Sequence, residues 1–263
     1  MLDILSSVWR WRRLVGELAR RDVKARYAGS ALGVAWAVLE PLIQFGLYIL
    51  VFPVFLGMRF EGNTSVGFSG LYLVCGMVPY LALQETVGRA TSLARSQAGL
   101  VRHVNVPLEV LLAGALIAIL VRYGIAFVLV IAAALGFGTV HWAQLPWVLV
   151  GVLLLLVGSW GVALALVPAG AFMPDLPQVV GTASMVMFFL TPIVYPASLL
   201  EKVIPWWLVA NPLVGLLETF RTGLVGGAVV PARVAVTALA AVLACALGSA
   251  VFTRRARAVR DVV

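Results

Sequence analysis

Apolar residues in this chain come in long runs separated by short polar breaks. The runs cover about Leu32 to Phe55, Val66 to Val87, Leu108 to Phe137, Leu145 to Phe172, Gln178 to Tyr195 and Pro231 to Phe252. An α-helix rises 1.5 Å per residue, so about 20 apolar residues cross the hydrocarbon core of a bilayer. The pattern predicts six transmembrane helices. The fourth run is almost unbroken until Met173-Pro174-Asp175-Leu176-Pro177, where prolines stop a helix and push the preceding residues out of helical geometry.

Three stretches fall outside that rhythm. Residues 3–28 place Arg10, Arg13, Glu17, Arg20, Arg21 and Lys24 at helical spacing, with Val8, Trp11, Val15 and Leu18 on the opposite face. The pattern is that of an amphipathic helix lying in the headgroup region, tryptophans at the interface and arginines toward anionic lipid. An ordinary solvated helix is the competing reading, and Trp9 and Trp11 beside arginines weigh against it. Residues 88–107 form the only long polar stretch between runs. Residues 196–230 are too interrupted for one span and too apolar for an ordinary loop, with Ile204, Trp206, Trp207 and Leu213 among them. Such backbone is tolerated near a membrane only when buried in protein or lining a cavity, which predicts re-entrant or interfacial helices.

Composition supports the membrane reading. Hydrophobic residues make up 62% and charged residues 11%, with a mean hydropathy of +1.05; soluble domains carry roughly a quarter charged residues. The net charge of +8 raises nucleic acid as a partner, but the basic residues sit beside apolar runs and form no separate domain, so none is expected. Fourteen of the nineteen basic residues fall in 1–31, 88–107 and the tail after Phe252, against Arg59, Lys202, Arg221 and Arg233 on the other side. The positive-inside rule then places both termini and the 88–107 loop in the cytoplasm. A long charged segment precedes the first run, so no cleavable signal is expected. Cys75 and Cys245 lie in apolar runs and read as small buried hydrophobes.

Much chemistry is missing. Neither lysine, Lys24 or Lys202, follows a glycine, so there is no Gly-Lys-Ser/Thr loop to cradle nucleotide phosphates. The two histidines have no partner at metal-ligand spacing, and no nucleophile elbow or paired carboxylates are present. Glu40, Glu85 and Glu109 sit near predicted cytoplasmic ends, which disfavours an acidic proton relay. Arg122 stands out half-way along the third run, where a charge is costly without water or a partner. It has two readings: an ion pair with Glu40 or another acid, or a cation facing a hydrated path. Tyr48, Phe52, Tyr123, Phe188, Tyr195, Trp206 and Trp207 are candidates for a lining on which sugar rings stack, alongside their ordinary roles as anchors and packing. Gly29/Gly33 and Ala240/Ala244/Gly248 have the spacing of close-packing seams.

The run Arg21-Asp22-Val23-Lys24-Ala25-Arg26-Tyr27, followed by Gly29-Ser30-Ala31-Leu32-Gly33, Trp36 and Leu39-Glu40-Pro41-Leu42, resembles the opening of ABC-2-type polysaccharide export permeases. Phe189-Leu190-Thr191-Pro192-Ile193-Val194-Tyr195-Pro196 is similar to the end of that family's fifth span, and Asn211-Pro212-Leu213 with Glu218-Thr219-Phe220-Arg221 to its re-entrant segment. The pieces cover nearly the whole chain in the right order.

The resemblance implies an all-α integral membrane protein of the bacterial inner membrane. Its segments would be an amphipathic N-terminus (1–31), a six-span domain (32–252) with a re-entrant stretch (196–230), and a basic cytoplasmic tail (253–263). It implies a homodimer docked on two copies of a separate ATPase that binds Mg-ATP, with no cofactor in this chain. Within 88–107, a coupling helix bearing Arg95, Gln97, Leu100, Val101, Arg102, His103 and Val104 would enter that ATPase; its apolar residues need a protein surface to cover them. The cargo would be a lipid-linked O-antigen or capsular polysaccharide. Its many hydroxyls would cross in a hydrated seam between the first and fifth spans, with Glu40, Pro41 and Pro192 as gating or bending points. Two alternatives are an ABC-2 permease for a drug or small lipophile, and an integral-membrane enzyme acting on a lipid-linked sugar. The second would want a clustered catalytic constellation, and the sequence offers none.

Overall fold

The computed structural model describes residues 2–103 and 106–262, and all of its regular elements are helical. The N-terminal segment forms two helices, α1 (Leu2–Arg10) and α2 (Arg12–Tyr27), in place of the single predicted one; the break falls at Trp11, at φ −94° and ψ 16°. Its apolar stripe is largely covered by protein. Ile4, Val15 and Ala19 are buried, and α2 lies so close to the third span that a Cβ at Gly114 would meet Leu18 at 2.9 Å. Trp9 remains 70% exposed. Gly29 and Gly33 are turn residues, not a seam: both have positive φ (+78° and +52°), and a Cβ on either would meet nothing within 4 Å. Glycine is used there for left-handed backbone as the chain turns into the membrane.

The first span enters through a short turn at Gly33–Ala35 into α3 (Trp36–Ile49), then widens into a π turn over Leu50–Phe55. Pro53 lacks the N–H that would continue the regular ladder, and the chain accommodates it by lengthening the turn. The second span, α4 (Val66–Ser96), is 31 residues long. It extends well past the predicted end at Val87, because Arg89 to Ser96 is a polar continuation of the same helix, invisible to hydropathy. A short helix, α5 (Ala98–His103), follows. The third and fourth spans are α6 (Leu108–Gly136) and α7 (Leu145–Phe172).

The predicted fifth span is shorter than expected. Helix α8 (Leu176–Leu190) has 15 residues, about 22 Å at 1.5 Å per residue, and stops before Tyr195. Thr191 precedes Pro192 and takes the extended conformation (φ −109°, ψ 133°), as the proline ring requires. Among the described residues, five helices are long and apolar enough to cross a bilayer, with α8 as a shorter apolar helix beside them. Residues 196–230 fold as three short pieces, α9 (Ala197–Glu201), α10 (Trp207–Ala210) and α11 (Pro212–Val225). Asn211 ties them back to α8's end: its amide donates to Thr191 Oγ1 at 2.9 Å, and its Oδ1 accepts from the Leu213 N–H at 3.0 Å. The last helix, α12 (Pro231–Val262), runs on through the predicted basic tail, with Phe252 and Val259 buried.

Helix α4 is the hub. In its apolar stretch 72% of positions are buried, against 11% in the first span. Helices α7 and α12 meet along small residues: a Cβ at Gly161 would collide with the backbone of Ala244 and Cys245, and one at Gly248 with the Gly161 carbonyl. This is the close backbone approach that small residues permit in membranes. Two cores result. One joins Ile4, Val15, Leu93, Leu112, Leu164, Phe252 and Val259 at the end carrying both termini and the 88–107 stretch. The other joins Phe60, Leu73, Met77, Ile193, Leu217 and Leu224 toward the opposite end.

Candidate functional site

Arg122 sits at the meeting point of four elements. Its Nη2 donates to Glu40 Oε1 of α3 at 2.7 Å and its Nη1 pairs with Glu85 Oε2 of α4. Arg26 reaches over from α2 to the same two carboxylates, at 3.3 Å to Glu85 and 3.7 Å to Glu40. The Tyr123 hydroxyl donates to Glu85 Oε2 at 3.0 Å. Two guanidinium and two carboxylate groups leave the cluster without net charge, which is how a bilayer tolerates them. The space beside Arg122, lined by Pro41, Gln44, Phe45 and Val78 among others, amounts to about 10 Å³, room for about one water. In this conformation Arg122 therefore holds helices together and offers no free cation to a passing anion. Glu40 and Pro41 lie in the same contact. Pro41 is carried inside α3 without ending it.

Part of the aromatic set comes together on one wall. Tyr48 stacks on Phe52 (centroids 6.0 Å, 9° between planes) and faces Phe188 of α8 at 6.4 Å. Phe188 also meets Tyr80 and Phe189 edge-on at 5.4 and 5.3 Å. The Tyr80 hydroxyl bonds the Ser184 carbonyl, so Tyr80 belongs to this wall as well. The wall thus bridges the first span and α8. Tyr123 is not part of it, being held in the charge cluster. Tyr195 and Trp207 serve α8's end: the Tyr195 hydroxyl donates to the Phe189 carbonyl and the Trp207 Nε1 to the Leu190 carbonyl, each at 2.7 Å. These are carbonyls that a helix C-terminus leaves without partners. Trp206 packs edge-on against Trp207 at 5.7 Å and stays 65% exposed, a rim position suited to an interfacial anchor.

A profile of the ABC-2 type transporter family matches residues 13–225. The chain belongs to the ABC-2 type transporters. Its relatives include the O-antigen export system permease protein RfbA of Myxococcus xanthus, 25% identical over 225 residues and 84% of each chain. The polysialic acid transport protein KpsM of Escherichia coli is 24% identical over 81% of each chain. The capsule polysaccharide export inner-membrane protein CtrC of Neisseria meningitidis is 23% identical, covering 83% of this chain and 82% of its own.

In this ABC-2 transporter chain the expected coupling residues lie at the end that carries the termini. Arg95 closes α4 and donates to the Ala171 carbonyl of α7 at 3.0 Å. Gln97 lines a crevice with Asp22, Arg89 and Leu111, where Arg89 pairs with Asp22 of α2 at 2.8 Å. Leu100 packs partly against the chain's own core, so that core covers some of the apolar surface expected to need a partner. Val101, Arg102 and His103 continue α5 along the backbone; Val104, and the side chains of those three, lie outside the described residues.

Sequence reasoning missed Arg221. Counted as a basic residue of an outside segment, it is 4% exposed and donates from Nε, Nη1 and Nη2 to the carbonyls of Tyr72, Pro192 and Ile193, at 3.2, 3.0 and 3.1 Å. Its guanidinium lies over the Tyr72 ring at 4.1 Å. The available signal was its setting: a lone arginine among Phe220, Leu224 and Val225 has no polar surface to reach. Glu218 and Arg233, which pair across α11 and α12, were missed as a pair for the same reason.

Proposed function

We propose that this chain is the membrane-spanning subunit of an ATP-driven exporter that moves a lipid-linked cell-surface polysaccharide across the bacterial inner membrane. The observation that carries this reading is similarity over more than four-fifths of its length to proteins named for O-antigen export, polysialic acid transport and capsule polysaccharide export. The energy comes from two copies of a separate ATPase, which supply the Mg-ATP site this chain lacks. Both termini and α5 face the cytoplasm, in keeping with the arginine distribution.

The working unit is a homodimer. The first span and α8 are the apolar helices least covered by their own chain: Ile43, Leu47, Val179, Met185 and Phe189 are all exposed, and α8 has no buried residue. A second copy placed against them brings two walls of Tyr48, Phe52 and Phe188 to face one another. Flat rings present apolar faces to the C–H side of a pyranose, while water in the seam serves its hydroxyls. ATP-driven closure of the partner ATPases moves α4 and α6 through α5, and the Arg122 cluster passes the movement to the first span. Deleting this chain while keeping the ATPase tests the reading: full-length polymer should accumulate in the cytoplasm, and normal surface polymer would refute it.

A further inference from the structure

At the end of the bundle away from both termini, a cavity of about 200 Å³ opens between the start of α4, the turn after α8, α11 and the 226–230 loop. We propose that it binds one uncharged, hydroxyl-rich sugar unit of the exported polymer as it leaves the seam; the proposal rests on the polysaccharide-export reading above. By volume the cavity holds the equivalent of about six or seven waters. Glu61, Tyr72, Glu218, Arg221 and Arg233 line it. Two carboxylates and two guanidinium groups balance, so the site favours neither anions nor cations. It offers donors and acceptors side by side, which is what a hydroxyl, itself both donor and acceptor, requires.

Three further observations support a ligand here. Glu218 and Arg233 pair with one another across α11 and α12, which holds a carboxylate and a guanidinium in place in the cavity wall. Burial pushes the Glu218 carboxyl above the ordinary carboxylate range, against the pull of Arg233 and the Val230 backbone amide. Glu61 is the one non-glycine residue at positive φ (+50°) among the described residues, and its carboxylate accepts the Tyr72 hydroxyl at 3.1 Å; a residue held in a disfavoured conformation at a cavity mouth marks a constrained site. Arg221, with its donors engaged by three carbonyls, is a rigid wall and not the ligand's partner.

The test uses the purified complex with its ATPase and, as probe, the monosaccharides released by acid hydrolysis of the host's own surface polymer. Saturation-transfer NMR should detect at least one of them; E61Q should weaken that binding by about tenfold, the weight of one charge-assisted hydrogen bond, and A228W, which puts an indole into the cavity lining, should weaken it at least as much. L199W, at an exposed position outside the cavity lining, should leave it unchanged. Both cavity variants should also lower surface polymer in cells. If A228W does not assemble with the ATPase, E61Q decides, because Glu61 sits on an exposed loop. Export by the parent chain, with no sugar signal and normal export by E61Q, would overturn the site and leave the exporter reading standing. No export by the parent chain would instead remove the exporter reading.

Discussion

Replacing Arg122 by Gln removes the cation that ties the first span to the rest of the bundle. The Arg122 side chain is 19% exposed, Glu85 27% and Glu40 39%. Breaking a fully buried ion pair by removing one partner costs 3–5 kcal/mol. Partial exposure and the backup contacts of Arg26 reduce that figure, so R122Q should cost about 2–3 kcal/mol. E85Q leaves Arg122 its Glu40 bond and should cost about 1–2 kcal/mol. Because the two residues share a contact, the double variant should cost less than the two single losses together, with a coupling of about 1 kcal/mol or more. R122K should recover part of the loss, since one ammonium cannot span both carboxylates as the planar guanidinium does. The assay is unfolding in mixed micelles with increasing denaturing detergent, followed by tryptophan fluorescence. A loss below about 0.5 kcal/mol for R122Q, or strict additivity in the cycle, would refute the cluster as the tie on the first span.

G161L should separate α7 from α12 and cost about 3 kcal/mol or more, whereas G181A, where a Cβ meets nothing within 4 Å, should cause no loss of stability in the same assay. R221Q strips donors from three buried carbonyls and should cost about 3 kcal/mol or more; trypsin digestion of folded protein should then cut faster at Lys202, the nearby exposed site. Cysteines at Ile43 and at Met185 should each crosslink into dimers in membranes, with little background because Cys75 and Cys245 are buried; absence of dimer from both positions would count against the proposed seam.

The apolar runs located the membrane helices because in a bilayer hydropathy and structure are nearly the same information. Where polar helices leave the membrane that link fails, so the extension of α4 to Ser96 and of α12 to Val262 went unread. The α8 end was misplaced for a different reason: Ile193, Val194 and Tyr195 are apolar enough to extend the run, and only the steric demand of Pro192 on Thr191 stops the helix. The pairing of Arg122 with Glu40 was legible, since a mid-span charge must find an acid. Its second partner Glu85 and the reach of Arg26 were not, because the register of α4 against α6 depends on packing. Arg221 shows the opposite error. A charge map assigns arginines to loops by sequence position, while two carbonyls of the turn after α8 and one of α4 gave this one a buried home.

The most direct test of the central claim is transport itself. Inside-out membrane vesicles carrying this chain and its ATPase should move the lipid-linked polymer into the lumen, where added glycosidase cannot reach it. That movement should require ATP and both subunits. Polymer that stays fully digestible in the presence of ATP and both subunits would contradict the account.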